Sequence, residues 1–484
     1  MRTLLGWSFS ALLLLSAYAQ EPNPSRRPIV FTQATVIDVK NGQVSPDMTI
    51  VLEGTRITAL GKVGSVRLPT DAQVIDATGK YIIPGLWDMH LHFAPWETPL
   101  LVANGVTGIR EMGSDCHPAF TDKDCLGEVR LWQKRIAAGE LGPRLLALSS
   151  WPVMARSSWP AKGPRGFAED LPPFYAASTS EQGRQLARYF AERKDDFIKV
   201  SGHLPRDGFV GLAAEARRLG LGIAGHEQLA ANAIEASNAG MNSFEHARVF
   251  LFNCFRGATE FAHLNMNEPD TTWRRRMVDE FDPKICQQVF SAFVRNKTWY
   301  VPTHLTRKME AFADDPTFRH DTRSKYILKP RWKAWNEDAD LMVKEDPSPE
   351  GRKAMKDFYT KGLEITGMAH KAGVKVMLGT DSADSYVFPG FAVHDELREL
   401  VKAGLTPAEA LKTATWNGAE FLGRTSESGS VETGKLADLV LLDANPLNDI
   451  RNTGKIAAVV LNGRYMDRTA LDQLLSAAEA TASK

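Results

Sequence analysis

Residues 81–92 read YIIPGLWDMHLH, an apolar run that ends in two histidines separated by one leucine. The run predicts a buried β-strand. Side chains of a strand alternate between its two faces, so His90 and His92 point the same way while Leu91 packs on the other side. Two imidazoles fixed side by side are half of a site for a first-row metal ion. A pair of structural histidines is the alternative for this stretch taken alone.

The middle of the chain alternates strand-like and helix-like segments. Seven further strand candidates follow the first: VTGIREM, RLLALSS, FIKVSG, LGIAGH, NSFEH, WYVPTH and VKVMLGTD. Helical stretches such as residues 181–194, 211–219 and 229–239 lie between them. Eight strands with intervening helices predict an α/β protein with a (β/α)8 TIM barrel rather than an open doubly wound sheet. No Gly-x-Gly-x-x-Gly follows a strand, which argues against a dinucleotide fold.

Both ends of the chain read as short strands separated by turns. Asn41-Gly42 and Glu53-Gly54 are turn signals near the N-terminus, and IAAVVLNGRYM reads similarly near the C-terminus. The two ends are therefore expected to build one small β-sandwich. The predicted division is a signal peptide at 1–19, sandwich parts at 28–80 and 426–470, and the barrel at 81–425.

Residues 1–20, MRTLLGWSFSALLLLSAYAQ, combine Arg2, a short apolar core and the small-x-small motif Ala17-Tyr18-Ala19. This pattern predicts a secretory signal peptide, too short for a comfortable membrane span. No cysteine stands at the cleavage site, so no membrane anchor is expected, and the protein is predicted to be periplasmic or secreted. The 484 residues carry 58 basic and 58 acidic side chains, so no nucleic-acid partner is expected. A homo-oligomer is possible, but the sequence does not show an interface for one.

The chain has four cysteines, an even number that permits disulfides in an oxidising compartment. Cys116 and Cys125 bracket the polar loop CHPAFTDKDC and are one candidate pair. Cys254 and Cys286 are the other. No Cys-x-x-Cys spacing occurs, so a zinc cluster of cysteines is not expected.

Residues with metal-binding side chains gather at the predicted strand ends. His90 and His92 end the first strand, and Lys199 lies in the fourth. His226, His246 and Asp381 end the fifth, sixth and eighth strands. The carboxyl ends of barrel strands converge on one mouth, where active sites lie. The spacing therefore predicts one metal site at this mouth.

Lys199, in DFIKVS, is the unusual member of this set. An ammonium in a barrel interior is costly, which lowers the pKa of the amine, and it would repel a bound cation. A neutral amine that reacts with carbon dioxide becomes an anionic carbamate with two oxygens able to bridge two metals. A salt-bridged lysine is the alternative that the residues leave open.

The chain resembles the amidohydrolase superfamily of metal-dependent hydrolases. The motifs PGLWDMHLH, FIKVSGH, GIAGHEQ, SFEHA and LGTDS occur in that family's order, flanked by ATVIDVKNGQ and GKLADLVLLDANPL. The resemblance covers nearly the whole mature chain and is closest to secreted prolidase-like and N-acyl-amino-acid hydrolases. Imidazolonepropionase-type enzymes share the layout, but Lys199 fits a binuclear site better than their mononuclear one.

The resemblance implies two divalent metal ions, with zinc as the default. His90, His92 and Asp381 would hold one ion, and His226 and His246 the other. Carboxylated Lys199 and a hydroxide would bridge the two ions. Asp381 would act as general acid and base.

Residues that touch the substrate are harder to identify. His203, Arg206 and His304 fall at the predicted mouth, where they could bind a substrate carbonyl or carboxylate. Glu111 would orient a ligand or pair with Arg110. Long insertions after strands three and seven are expected to form lids. Their aromatic residues would line a pocket or pack the lids onto the barrel: Trp151, Trp159, Phe174, Tyr175 and Trp332.

The expected substrate is a small molecule with an amide next to a carboxylate. A dipeptide, an Xaa-Pro dipeptide or an N-acyl amino acid would fit, as for a metal-dependent dipeptidase or carboxypeptidase. A lactonase, esterase or organophosphate hydrolase using the same residues is the alternative. A non-catalytic barrel scaffold is a third, more remote one.

Overall fold

The computed structural model describes residues 27–113, 125–150, 152–153, 177–202, 204–227, 231–264, 269–382 and 384–484. Its strands, in chain order, are β1 Ile29–Asp38, β2 Gln43–Glu53, β3 Arg56–Lys62, β4 Gln73–Asp76, β5 Tyr81–Pro84, β6 Leu86–Leu91, β7 Val106–Glu111, β8 Arg144–Leu148, β9 Phe197–Val200, β10 Gly222–Gly225, β11 Ser243–Glu245, β12 Trp299–Val301, β13 Lys375–Val376, β14 Leu439–Leu442, β15 Ile456–Leu461 and β16 Arg464–Asp467.

The helices of these residues are α1 Thr98–Ala103, α2 Cys125–Ala137, α3 Ser180–Glu192, α4 Arg206–Leu219, α5 Ala233–Ala239, α6 Arg248–Asn253, α7 Ala258–Leu264, α8 Thr271–Asp279, α9 Pro283–Asn296, α10 His304–Phe312, α11 Pro316–Arg319, α12 Lys329–Glu345, α13 Pro349–Lys371, α14 Phe391–Lys402, α15 Pro407–Thr413, α16 Trp416–Phe421 and α17 Arg468–Ala482. Short 3-10 helices cover Pro95–Glu97, Thr322–Tyr326 and Ile450–Gly454. None of the helices in the described ranges is long and apolar enough to cross a membrane.

The strands of both chain ends share one eight-stranded sheet, in the order β16-β15-β14-β5-β1-β2-β3, with β4 paired to β1. Gly42 and Gly54 adopt positive φ of 76° and 57° in the turns that the sequence predicts. Phe31, Ile50 and Val460 are buried in a core of this sheet's own. The two ends therefore fold together, whereas their division into two packed sheets stays a prediction. The sheet extends through Pro84, past the predicted boundary at residue 80.

All eight strands predicted for the middle of the chain are present and pair in parallel. They form two sheets, β6-β7-β8 and β9-β10-β11-β12-β13. An isolated parallel bridge between Ser149 and Phe197 joins β8 to β9, and another between Leu91 and Ser382 joins β6 to the segment after β13. Every residue of β6 and β7 is buried, as expected for parallel strands covered on both faces.

A disulfide joins Cys254 to Cys286 and ties the end of α6 to α9. This confirms the second candidate pair. Cys116, a member of the first pair, lies outside the described residues.

The insertion after β12 folds into α10, α11 and α12. The ring of Trp332 lies 6.1 Å from that of Trp335 and 5.2 Å from that of Tyr386, measured between centroids. These contacts pack the insertion onto the loop before α14. Of the five aromatic residues considered above, Trp332 is therefore a packing residue here; the other four, Trp151, Trp159, Phe174 and Tyr175, lie outside the described residues.

Candidate metal centre

Five strands place the six predicted ligands. His90 lies in β6 and His92 directly after it, Lys199 lies in β9, and His226 and His246 follow β10 and β11. Asp381 follows β13, where its backbone N–H donates to the carbonyl of His90 at 2.6 Å. His246 and Asp381 have positive φ of 74° and 60°, which is uncommon for residues other than glycine. Such strained positions often belong to functional sites.

The carboxylate of Asp381 is the centre of the cluster. Its Oδ1 lies 3.3 Å from Nε2 of His90 and 3.4 Å from Nε2 of His92. Its Oδ2 lies 3.6 Å from Nδ1 of His246. The ring of His246 is 4.7 Å from that of His226, between centroids. The fold thus brings these five residues together, and potential ligand atoms of His90, His246 and Asp381 lie within 4.8 Å of one another.

Hydrogen bonds fix which nitrogen of each paired histidine faces Asp381. Nδ1 of His92 lies 2.6 Å from the carbonyl oxygen of Gly113, which can only accept. Nδ1 of His90 lies 2.7 Å from a carboxylate oxygen of Glu245. Both Nδ1 atoms therefore donate, and each Nε2 faces a carboxylate oxygen of Asp381. A cation, either a proton or a metal ion, favours such a pair of facing acceptor atoms.

The charge balance of the site agrees with this geometry. Burial by itself lowers the pKa of His92, but the hydrogen bond and charge of Asp381 outweigh it and raise this pKa to about 9. Burial alone would raise the pKa of Asp381, yet His90, His92 and His246 hold it well below its usual range. The charge balance of the cluster thus favours a cation beside Asp381.

Lys199 is buried, with 2% of its surface exposed. Among the described residues its Nζ has neither a hydrogen-bond partner nor an ion pair. Burial lowers the pKa of this amine to about 8 against the attraction of Glu245 and Asp381. The salt-bridged alternative is not seen in this part of the chain, whereas a neutral amine is the form that can react with carbon dioxide.

His226 and His246 lie beside each other, with their ring centroids 4.7 Å apart. Burial, followed for His226 by the charge of Arg248, lowers the pKa of both rings well below the usual value, so both are neutral at pH 7. Nη2 of Arg248 lies 3.0 Å from Nδ1 of His226 and donates to it, so the proton of this neutral ring is on Nε2. Metal binding by His226 would therefore require Arg248 to move away from Nδ1. Sequence reasoning missed Arg248, although it stands only two residues after His246 in SFEHAR.

The charged residues behind the histidines exclude one of the two alternatives predicted for Glu111. Arg110 pairs with Glu245 at 2.9 Å rather than with Glu111, and both partners are fully buried. Glu111 accepts a hydrogen bond from the N–H of Gly113 at 3.1 Å, and so supports the loop that holds His92. Glu245 precedes His246 in the chain, and sequence reasoning gave it no role.

Asp88 links the segment that carries His90 and His92 to the segment that carries Asp381. It accepts hydrogen bonds from the N–H and hydroxyl of Thr380 at 3.0 and 2.6 Å and from the N–H of His90. Burial raises the pKa of Asp88 to about 7 in spite of these bonds. This contact fixes β6 against the residues that position Asp381.

The three predicted substrate contacts are not brought together among the described residues. His203 lies outside them. Arg206 is the first residue of α4 rather than part of a loop; its side chain is 56% exposed and pairs with Glu235. His304 begins α10 rather than ending a strand, and it is fully buried, with no partner for either ring nitrogen in the part of the chain that the structure describes. Its burial lowers the pKa of His304 to about 4. A role in substrate contact stays a prediction for all three.

Comparison with known proteins agrees with this arrangement. Residues 303–466 match the model of the amidohydrolase family. A stretch of 100 residues is 41% identical to ochratoxinase of Aspergillus niger; this match covers 20% of the chain but only 19% of that relative. The chain therefore matches about a fifth of the length of this curated relative.

Solved structures are similar over almost the entire chain. Bottromycin amidohydrolase has a TM-score of 0.69 at 20% identity, over 94% of this chain and 91% of that one. A Xaa-Pro dipeptidase with bound methionine in its active site has a TM-score of 0.65 at 19% identity, over 91% and 100%. At such identities the likeness concerns the fold, which is a TIM-barrel-type α/β fold.

Proposed function

We propose that this protein is a metal-dependent hydrolase of the amidohydrolase superfamily with a binuclear site, which cleaves an amide bond next to a carboxylate. The supporting observation is the array formed by Nε2 of His90, Nε2 of His92 and the carboxylate of Asp381, together with the buried amine of Lys199, which has no partner among the described residues. Such an array is destabilising in a protein interior unless a cation occupies it. We further propose that the two parallel sheets close into a (β/α)8 barrel around this site.

The residues present fit two divalent ions. His90, His92 and Asp381 would hold one, His226 and His246 the other, and carboxylated Lys199 would bridge them. Neutral imidazoles and a carboxylate are the ligands that zinc prefers. When bound, the ions lower the pKa of a water molecule between them and polarise the scissile carbonyl.

Asp381 would move the proton in this reaction. Its side chain is 13% exposed, so its carboxylate reaches the open side of the cluster while its neighbours keep it ionised. It would take the proton of the attacking water as the new C–O bond forms, and give it to the amine as the C–N bond breaks. Glu245 and Gly113 would hold His90 and His92 in place meanwhile.

Two proteins of similar structure and the positive charge of Arg248 support an amide substrate that carries a carboxylate. One neighbour is a Xaa-Pro dipeptidase, and another is a prolidase complexed with N-methylphosphonate-L-proline. Arg248, partly exposed beside His226, adds a positive charge at the same mouth. An Xaa-Pro dipeptide or an N-acyl amino acid therefore remains the proposed substrate class.

Export from the cytoplasm is part of the proposal. The Cys254–Cys286 disulfide supports an oxidising compartment such as the periplasm or the exterior. Sequencing the N-terminus of the protein recovered from its native compartment tests this; a mature chain beginning near Gln20 is expected, and an intact N-terminus in the cytoplasm would contradict it.

A substrate panel on zinc-loaded protein tests the activity. It contains Xaa-Pro dipeptides, N-acetyl amino acids, the carboxamides of both, a lactone and paraoxon. The proposal expects the highest kcat/KM for an amide that carries a free carboxylate. Highest activity on the lactone or on paraoxon would favour the esterase alternative. Absence of both metal and turnover would favour a non-catalytic scaffold.

Lys199→Ala tests the binuclear form of the site. We expect kcat/KM to fall by more than the roughly 10–100-fold that the loss of an outer contact to a metal ligand causes. The zinc content per chain should fall as well. Lys284→Ala, an exposed lysine in α9, is the matched control and should leave both values unchanged. Full activity in Lys199→Ala would contradict a bridging role.

A further inference from the structure

A fully buried polar network lies directly behind His90. Glu245, Arg110 and His90 each have a side chain with no exposed surface. Arg110 donates to both carboxylate oxygens of Glu245 at 2.9 and 3.0 Å, and Ser243 donates to one of them at 2.6 Å. Arg110 also donates to Ser243 and to the carbonyl of Met89.

The donors in this network leave His90 a single choice of tautomer. Arginine can only donate, and the one hydroxyl proton of Ser243 points to Glu245 because its oxygen accepts from Arg110. Glu245 is therefore an anion that only accepts. Nδ1 of His90, 2.7 Å from it, has to carry a proton, and Nε2 is left to bind a cation.

A buried ion pair of this kind has no evident value for stability alone. Well-packed apolar residues often stabilise a core as well as a buried salt bridge does, or better. The network instead makes a specific contact to His90, which is proposed to bind a metal. It also adjoins His246 through the backbone, because Glu245 directly precedes His246 in the chain.

We infer that Glu245 is a positioning residue, which fixes the tautomer and orientation of His90 and couples the two halves of the metal site. Arg110 and Ser243 keep Glu245 in the acceptor state. This inference rests on the proposed metal site and is independent of which bond is cleaved.

Glu245→Gln tests the inference, since an amide has nearly the same shape as the carboxylate. The amide oxygen is expected to stay on Arg110 and Ser243, so that the NH2 group faces Nδ1 of His90 and donates to it. His90 then carries its proton on Nε2 and cannot bind. We expect zinc affinity, from chelator competition, to fall about 10–100-fold.

Glu227→Gln is the matched control. Glu227 is a buried glutamate next to His226, but it bonds Asn253 rather than an imidazole. Its zinc affinity should equal that of the wild type. The second readout is proton NMR of the cobalt-loaded proteins, which counts the shifted, solvent-exchangeable imidazole N–H signals. Glu245→Gln should show one such signal fewer than the wild type and one fewer than Glu227→Gln. A loss of general stability would not produce that difference.

Equal zinc affinity and equal N–H signals in Glu245→Gln and wild type would overturn the inference and leave the proposed function intact. A wild-type protein that binds no divalent ion would overturn both. Should Glu245→Gln not fold, Ser243→Ala replaces it, because this change removes one hydrogen bond from Glu245. A zinc affinity a few-fold below wild type then supports the inference, and an unchanged affinity overturns it.

Discussion

The proposal that His90 and His92 bind a metal depends in part on atoms that lie far from them in sequence. Strand periodicity places both imidazoles on one face, and that could be predicted. Which nitrogen of each ring is available depends on Glu245, 155 residues from His90, and on Gly113, 21 residues from His92. Such partners follow from tertiary packing, so local pattern does not reveal them.

His304 leads to a prediction on acid stability. Burial holds its pKa at about 4 in the folded protein, against the usual 6.5. The unfolded chain therefore binds more protons between these pH values, and stability falls as the pH drops from 6.5 to 4. Below pH 4 both states are protonated, and this loss levels off.

Replacing His304 by methionine removes this contribution. Between pH 7 and pH 5 the free energy of unfolding should fall about 2 kcal/mol less in His304→Met than in the wild type. Denaturant unfolding of both metal-free proteins at the two pH values measures the difference. Between pH 7 and pH 8.5 the two proteins should change in parallel. An equal decrease in the free energy of unfolding of both proteins between pH 7 and pH 5 would show that the fold does not hold His304 neutral.

The strands that carry the candidate metal site approach one another so closely that two positions have no room for a side chain. A Cβ atom on Gly379 would lie 2.6 Å from Cβ of His90 and 2.4 Å from a methyl carbon of Val301. A Cβ atom on Gly225, which has φ of 140°, would lie 2.0 Å from the carbonyl oxygen of Val200. Both glycines fall within strand candidates of the sequence, LGIAGH and VKVMLGTD, but only the register of the sheet explains why a side chain is excluded there.

Gly379→Ala should therefore damage the site while leaving most of the fold in place. The new methyl group has to displace His90 or Val301, so we expect weaker zinc binding and a loss of about 1–3 kcal/mol in unfolding free energy. Chelator competition and denaturant unfolding measure the two effects.

Gly362→Ala is the matched change. Gly362 lies within α13, where a Cβ would make ordinary contacts of 3.5 and 3.6 Å. This substitution should keep zinc binding and stabilise the protein by about 0.5–1 kcal/mol, because alanine favours helix. Similar zinc affinity in Gly379→Ala and Gly362→Ala would refute the role given to strand approach.

At the scale of the molecule, the alternation of strands and helices was strong enough to predict the eight parallel strands and the shared sheet of the two ends. The clustering of His90, His92, His226, His246 and Asp381 followed from their predicted positions at strand ends; that they and Lys199 bind metal stays a prediction. The charged partners did not, because Arg110 and Glu245 are 135 residues apart and meet only through β7 and β11. His304 and Arg206 were predicted to lie at a strand end and in a loop, whereas each begins a helix. Helix starts are hard to predict because the groups that cap them can come from distant parts of the chain. Glu396 of α14, for example, accepts hydrogen bonds from the first two N–H groups of α10.

Counting and locating the metal ions of the wild-type protein is the most direct test of the proposed binuclear site. The protein is loaded with zinc, its metal content is measured by mass spectrometry, and its crystals are examined by anomalous diffraction at the zinc edge. We predict two zinc ions per chain, one among His90, His92 and Asp381 and one beside His226 and His246, with density for a carbamate on Lys199 between them. A single ion, or zinc bound away from these residues, would contradict it.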